Sequence, residues 1–284
     1  MPNQSPTVYR RRLGNKLRSF RKAAHISVDD IARCLDCHEG TVRRMEAGKI
    51  GITRRDARQM LDIYGVTGDE REELLALASQ SRQRSIWHNW WNAVPQNFYS
   101  YLGLESSASS IRAFENSYIP GLLQTESYAR AIVDAVGPER SEAERNKFLA
   151  LRQARIQRLT VTHPPLLCAL IDEAVLSRIV GGPAVMAEQI NHLMQMARLP
   201  NIEIGIIPYS AGAYRGMDGP FVILEFPETD DLDVILTEGI AGSFFLERPT
   251  TVQSYKQRFE AIGKHALPPD ESLTLLQQKE PKQT

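Results

Sequence analysis

Residues 27–49 read SVDDIARCLDCHEGTVRRMEAGK, and this stretch decides the fold. Ser27 is followed three residues later by Asp30, a short capping-box pair that opens a helix. Val28, Ile31, Ala32 and Leu35 then step by three or four and form one apolar stripe. Asp36 and Cys37 leave room only for a very short turn. A second helix is predicted over 39–47, with Val42 and Met45 facing inward and Gly48 as its stop.

The neighbouring residues extend the pattern. A helix over 9–24 carries Tyr9, Leu13, Leu17, Phe20 and Ala24 on one face and a dense set of Arg and Lys on the others. Thr53 caps a fourth helix striped by Ala57, Met60, Leu61 and Tyr64 and ended by Gly65. A fifth runs over 69–84 with Leu74, Leu75, Leu77 and Ala78. Two short helices joined by a tight turn, inside a small basic bundle, make a helix-turn-helix arrangement. The second helix of such a pair fits the major groove, about 12 Å wide. Its outward residues here are Glu39, Gly40, Thr41, Arg43 and Arg44. Arginine suits a bidentate contact with guanine O6 and N7, and helix N-termini suit phosphates.

Whole-chain composition hides this. The chain has 284 residues, enough for two domains at roughly 150 each. It carries 34 Lys+Arg against 34 Asp+Glu, with 42% hydrophobic and 24% charged residues. These values exclude a disordered, collagen-like or disulfide-scaffold chain. Residues 1–60, however, hold 14 basic and 6 acidic side chains, a surplus of +8, and the remainder is −8. A basic head on an acidic body points to a polyanion partner for the head. No stretch approaches the roughly 20 apolar residues of a membrane span, and no secretory core is present near Met1. Three cysteines, Cys34, Cys37 and Cys168, are too few for a disulfide framework, so a reducing cytoplasm is expected.

The segments LGNKLRSFRKAAHIS, VDDIARCLDCHEGTVRRMEAGK and RRDARQMLDIYGV resemble the Cro/cI-type (xenobiotic-response-element) helix-turn-helix family over about 55 residues. The resemblance implies that Ser27 and Val28 open the positioning helix. It places Glu39, Gly40, Thr41, Arg43 and Arg44 at base or backbone contacts, and Lys49 in the loop that meets the next phosphates. Three positions depart from the family pattern. His25 and Asp36 stand where that family usually has Gly, at spots that need a left-handed backbone. Glu39 replaces a frequent Gln; it accepts from cytosine N4 or simply favours the helix N-terminus. Cys34-x-x-Cys37, with His25 and His38 nearby, reads as packing, with a redox switch and a zinc half-site as the alternatives.

Residues 85–95 form an aromatic linker with Trp87, Trp90 and Trp91, read as core rather than as a base-stacking platform. The body, 96–275, mixes helices with strands at 110–114, 166–171, 202–207, 221–226 and 232–237, and a polar tail covers 276–284. Strands that follow one another without helices suggest an antiparallel sheet, so the expected fold class is α+β: a five-helix all-α head over 9–84, then a larger mixed domain. The body has no Gly-rich phosphate loop and no H-E-x-x-H, G-x-S-x-G or dinucleotide motif. Asp172-Glu173 and Asp230, Asp231 and Asp233 read as caps. The Gly-rich loop 211–220, with Tyr214, Arg215 and Gly216, is the candidate ligand or partner site. No catalytic residue, metal or cofactor is expected.

The body segments YIPGLLQTESYARAIV, LIDEAVLSRIVGGPAVMAEQINHLM and LPNIEIGIIPYSAGAYRGMDGPFVILEF resemble the C-terminal domain joined to such heads in actinobacterial regulators. The resemblance implies an antitoxin-like regulator encoded beside a small cognate partner protein. The expected protein is thus a cytoplasmic, homodimeric transcriptional regulator that binds double-stranded DNA. The alternatives are an interaction protein that mainly neutralises its partner, or an enzyme with an unfamiliar site in the body.

Overall fold

The structure, a computed structural model, describes residues 5–82, 85, 87–88, 96–136, 141–227, 232–239 and 242–281. The chain divides into two compact units, residues 1–107 with 227–232, and residues 108–226 with 233–284.

The first unit is helical: α1 (Pro6–Ala23), α2 (Val28–Cys34), α3 (Glu39–Glu46), α4 (Arg54–Tyr64), α5 (Gly68–Gln80) and α6 (Gln96–Glu105). α1 starts earlier than its apolar stripe suggests. Ser5 is the N-cap, its hydroxyl accepts from Thr7 N–H, and Pro6 occupies the first turn, where its missing N–H costs nothing. Leu13, Leu17, Ile31, Val42, Met60, Leu61 and Leu75 are almost fully buried and form the core. α6, read as the start of the body, packs in this unit: a Cβ on Gly103 would stand 2.4 Å from Thr7 Oγ1. Trp87 is buried here; Trp90 and Trp91 lie outside the described residues.

Four helices of this unit end alike. Ile26, Cys37, Lys49 and Val66 each donate an N–H to the carbonyl five residues earlier, on Arg21, Ala32, Arg44 and Leu61. This is the Schellman closure, and it needs a left-handed residue just before the donor. Gly48 and Gly65 supply it at φ 65° and 71°; His25 and Asp36 supply it at φ 56° and 50°. The two departures read in the sequence therefore sit where strain was expected.

The second unit is the α+β body. Its six-stranded sheet has the order β3-β2-β1-β4-β5-β6, with β1 (Ser110–Glu115), β2 (Leu166–Asp172), β3 (Ile202–Ile207), β4 (Phe221–Glu225), β5 (Val234–Gly239) and β6 (Gly242–Leu246). The sheet is mixed, not purely antiparallel. β1, β2 and β3 pair in parallel, whereas β1 with β4, β4 with β5, and β5 with β6 are antiparallel. The reason is connectivity. α7 (Glu126–Val136) and α8 (Glu142–Ile156) separate β1 from β2, and α9 (Glu173–Ser177) and α10 (Pro183–Met196) separate β2 from β3. A strand that returns through helices lies parallel, and one that returns through a turn lies antiparallel. α11 (Pro249–Gly263) covers one sheet face, where Phe114, Leu170, Ile207, Phe221, Ile223 and Ile235 meet its Val252, Phe259 and Ile262. A last helix, α12 (Pro269–Lys279), runs into the first residues of the stretch 276–284 expected as a polar tail.

Replacing His25 or Asp36 with Gly should raise stability by roughly 0.5–1 kcal/mol each, because relief of left-handed strain exceeds the extra chain entropy. Gly48→Ala should do the reverse and by more, since its Cβ would stand 2.7 Å from Arg11 Cα. Denaturant titration of the three variants checks both signs.

Candidate nucleic-acid interface

α3 owes its placement to its inner face. Val42 and Met45 enter the helical core. Glu46, 4% exposed, accepts from Arg21 Nε at 2.5 Å and from Arg21 Nη2 at 2.9 Å. Arg21 Nη1 donates to the Ile26 carbonyl at 2.9 Å. The guanidinium fork thus ties the end of α1 to the end of α3 and to the loop that enters α2. The Glu46 hydrogen bond holds the Arg21 pKa above its ordinary value. The helices also touch at Gly14, where a Cβ would stand 2.5 Å from the Met45 carbonyl oxygen.

The outer face of α3 presents Glu39, Gly40, Arg43 and Arg44, all exposed, with Thr41 half-buried beside them. Gly40 has open space where a side chain would project. Arg43 Nη2 donates to Glu39 Oε2 at 2.6 Å, and Arg44 Nη2 donates to Thr41 Oγ1 at 3.3 Å. An exposed i,i+4 pair contributes only about 0.3–0.5 kcal/mol, so a phosphate or guanine can displace Glu39 from Arg43 at little cost.

The other head residues singled out in the sequence divide in two. Ser27 closes the capping box: its hydroxyl accepts from Asp30 N–H at 3.1 Å, and the Asp30 carboxylate accepts from Ser27 N–H at 3.2 Å. Those Ser27 hydrogen bonds hold the Asp30 carboxyl below its usual range. Val28 packs half-buried against the core. Both residues fix the start of α2. Lys49 is exposed directly after the Gly48 turn. Sequence reasoning passed over Arg54, Arg55 and Arg58, which are exposed on the first turns of α4 behind its Thr53 cap. Arg54 stands 3.6 Å from Glu72, and Arg55 and Arg58 have no ion pair among the described residues. Their signal was visible: a cap followed at once by paired arginines. Cys34 is exposed and Cys37 half-buried; both are free thiols, and burial raises the Cys37 pKa. Among the described residues no three His, Cys, Asp or Glu gather as a metal site.

In the body the loop around Tyr214 is tied down. Tyr214 Oη donates to Asp172 Oδ2, and its ring stands edge-on to Phe114. Burial pushes the Tyr214 pKa up, and the Asp172 bond adds to that. Gly216 is buried, and a Cβ there would stand 2.3 Å from Phe114 Cζ; its carbonyl accepts from Asn116 Nδ2 at 3.1 Å. Arg215 alone of the three is exposed. Asp172 caps α9 through Ala174 N–H at 2.8 Å. Burial would raise the Glu173 carboxyl, but Lys279 at 2.7 Å and Tyr209 N–H at 2.7 Å outweigh it and hold it low. Asp233 pairs with Lys256 at 2.7 Å, while Asp230 and Asp231 lie outside the described residues. Glu115, at the end of β1, stands apart. It is 7% exposed, and its Oε2 has no hydrogen-bond partner among the described residues. Burial, with Glu238 adding and Arg152 opposing, pushes its carboxyl up to about 8.

Two families match parts of the chain. Residues 12–74 match a family described as a helix-turn-helix domain, and residues 98–278 match one described as a domain of unknown function (DUF5753). No curated protein and no solved structure matches it. Among the described residues no helix is long and apolar enough to cross a membrane.

Two outcomes follow from the burial of these charges. Arg21→Ala leaves Glu46 buried and unpaired and should cost about 3–5 kcal/mol, read by chemical denaturation. For Glu115, the folded state holds its proton more tightly than the unfolded chain, so its contribution is complete below about pH 4 and is lost as pH rises to about 8. Glu115→Gln should flatten that fall; an unchanged profile of melting temperature against pH would refute the assignment.

Proposed function

The chain belongs to the DUF5753 family and carries a helix-turn-helix domain ahead of that module; from this premise we propose that it is a sequence-specific transcriptional regulator of double-stranded DNA. The observation that carries the reading is the outer face of α3, where Arg43 and Arg44 stand exposed on a helix whose inner face is locked by the Arg21–Glu46 fork. In this reading α3 enters the major groove. Arg44 and Arg43 meet guanine edges, Glu39 and Thr41 line the same floor, and Gly40 lets the helix approach the bases closely. Lys49 and the arginines at the start of α4 hold phosphates, and counterion release supplies much of the affinity.

We assign to the body the spacing of two heads in a homodimer and the response to an effector or a small cognate partner protein. Two heads related by a two-fold axis would favour half-sites about one DNA turn apart. We read the protein as a binding protein rather than an enzyme, because Asp172, Glu173 and Asp233 are committed to caps and ion pairs. We infer a cytoplasmic location from the DNA target proposed above.

Selection of bound fragments from genomic DNA by the full chain tests the reading, and no enrichment at low salt overturns it. On the enriched site, Arg44→Ala should cost ~1–3 kcal/mol and relax preference at one base pair. An equal loss on every sequence would make Arg44 a phosphate clamp instead. The logarithm of affinity should fall steeply with the logarithm of salt concentration, and Arg55→Ala should shallow that slope by about one.

A further inference from the structure

The sheet face under α11 is not fully covered. Two adjoining cavities of about 380 Å³ each open there, and they share Arg112, Cys168, Glu203 and Phe259. Arg112, Cys168 and Glu203 are direct neighbours across β1, β2 and β3, so they form one row on one face. At about 4.8 Å between strands, the row sets a cation and an anion about 10 Å apart at the backbone, with the small thiol between them.

The two charged ends are prepared differently. Arg112 is held from behind: its Nε donates to Glu225 Oε2 at 3.1 Å, and its guanidinium lies 6.0 Å from the Phe259 ring centroid. Glu225 is fixed in turn by Ser110 at 2.8 Å and Lys256 at 2.8 Å. Burial would raise the Glu225 carboxyl, but those partners outweigh it and keep it ionised. The terminal Nη groups of Arg112 have no hydrogen-bond partner among the described residues, so they remain available to the trench in an arrangement already ordered. At the other end Glu203 is exposed and has no ion pair among the described residues. Burial pushes the Cys168 thiol up to about 11, so the middle of the row is neutral near pH 7.

We propose that this trench binds a small amphoteric molecule of the amino-acid class, its carboxylate on Arg112, its ammonium on Glu203, and its body over Cys168 against Phe259. The charge pattern selects the class. A simple anion would meet Glu203, a simple cation would meet Arg112, and only a ligand carrying both satisfies both ends.

Cys168 is a built-in reporter. The full chain is incubated with individual proteinogenic amino acids, β-alanine or γ-aminobutyrate, and alkylation of Cys168 by N-ethylmaleimide is followed by peptide mass, with Cys34 as internal control. A ligand with a Kd of about 1 mM, present at about 10 mM, should slow Cys168 about tenfold and leave Cys34 unchanged. Propionate and propylamine should not protect. Glu203→Gln, at an exposed strand position, should abolish protection, and Glu203→Lys should transfer it to succinate. Failure of the whole panel, equal protection by propionate, or protection that survives Glu203→Gln overturns the proposal. The assay contains no DNA, so its failure leaves the DNA-binding reading standing.

Discussion

The helical unit is organised around one buried ion pair. Glu46 and Arg21 meet through two parallel hydrogen bonds, at 2.5 Å and 2.9 Å, with side chains 5% and 10% exposed. The surroundings are dry enough that burial raises the pKa of the adjacent Tyr64 hydroxyl, with Glu46 adding to the shift. Taking two charges out of water costs several kcal/mol, and their attraction returns little more than that. The pair is therefore better understood as a fixer of register than as a source of stability. A bidentate fork accepts one relative position of α1 and α3, and Gly14 lets the backbones close to that position. Everything α3 presents outward is set by this inner constraint, because Arg43 and Arg44 precede Glu46 by less than one turn.

The head was largely legible because its signals are local. Ser27, Thr53, Gly48 and Gly65 mark helix ends by chemistry that acts within four residues. His25 and Asp36 were legible for the same reason, since a left-handed position betrays itself when a non-glycine fills it. The start of α1 lies ahead of the apolar stripe that begins at Tyr9, and only the Ser5-Pro6 pair, itself a helix opening, marks it. The Arg21–Glu46 pair was not legible at all. Its partners are 25 residues apart, and nothing in their own neighbourhoods distinguishes them from surface charges.

The body shows the complementary limit. Strands at 166–171 and 202–207 were evident from their apolar runs, but pairing direction depends on what lies between strands. Two helices between β1 and β2 make that pair parallel, while the later hairpins dominate a reading that looks only at consecutive strands. The loop at Tyr214 shows a different limit. Its glycines and aromatic mark a candidate binding loop in the sequence, whereas the structure adds packing that the sequence does not show: Phe114 leaves no room for a Cβ at Gly216, and the Tyr214 hydroxyl donates to Asp172. The row Arg112, Cys168, Glu203 was invisible for the reason that hid Arg21–Glu46: it exists only once three distant strands are in register.

The charge surplus of the head takes on a definite shape when these pairs are removed from it. Of the six acidic residues in 1–60, Glu46 is bound to Arg21, Asp29 and Asp30 to Arg33, and Glu39 to Arg43. Those arginines are neutralised in place, so the field that meets a polyanion comes from others. Arg18, Lys22, Arg44, Lys49, Arg55 and Arg58 are exposed on α1, α3, α4 and the turn between the last two. Arg43 belongs to both sets, since its partner is a weak surface one, and it can exchange Glu39 for DNA while Arg21 cannot leave Glu46. The same residue type thus does two opposite jobs in one small unit. Burial decides which: a dry carboxylate holds its arginine permanently, and a wet one only until a better anion arrives.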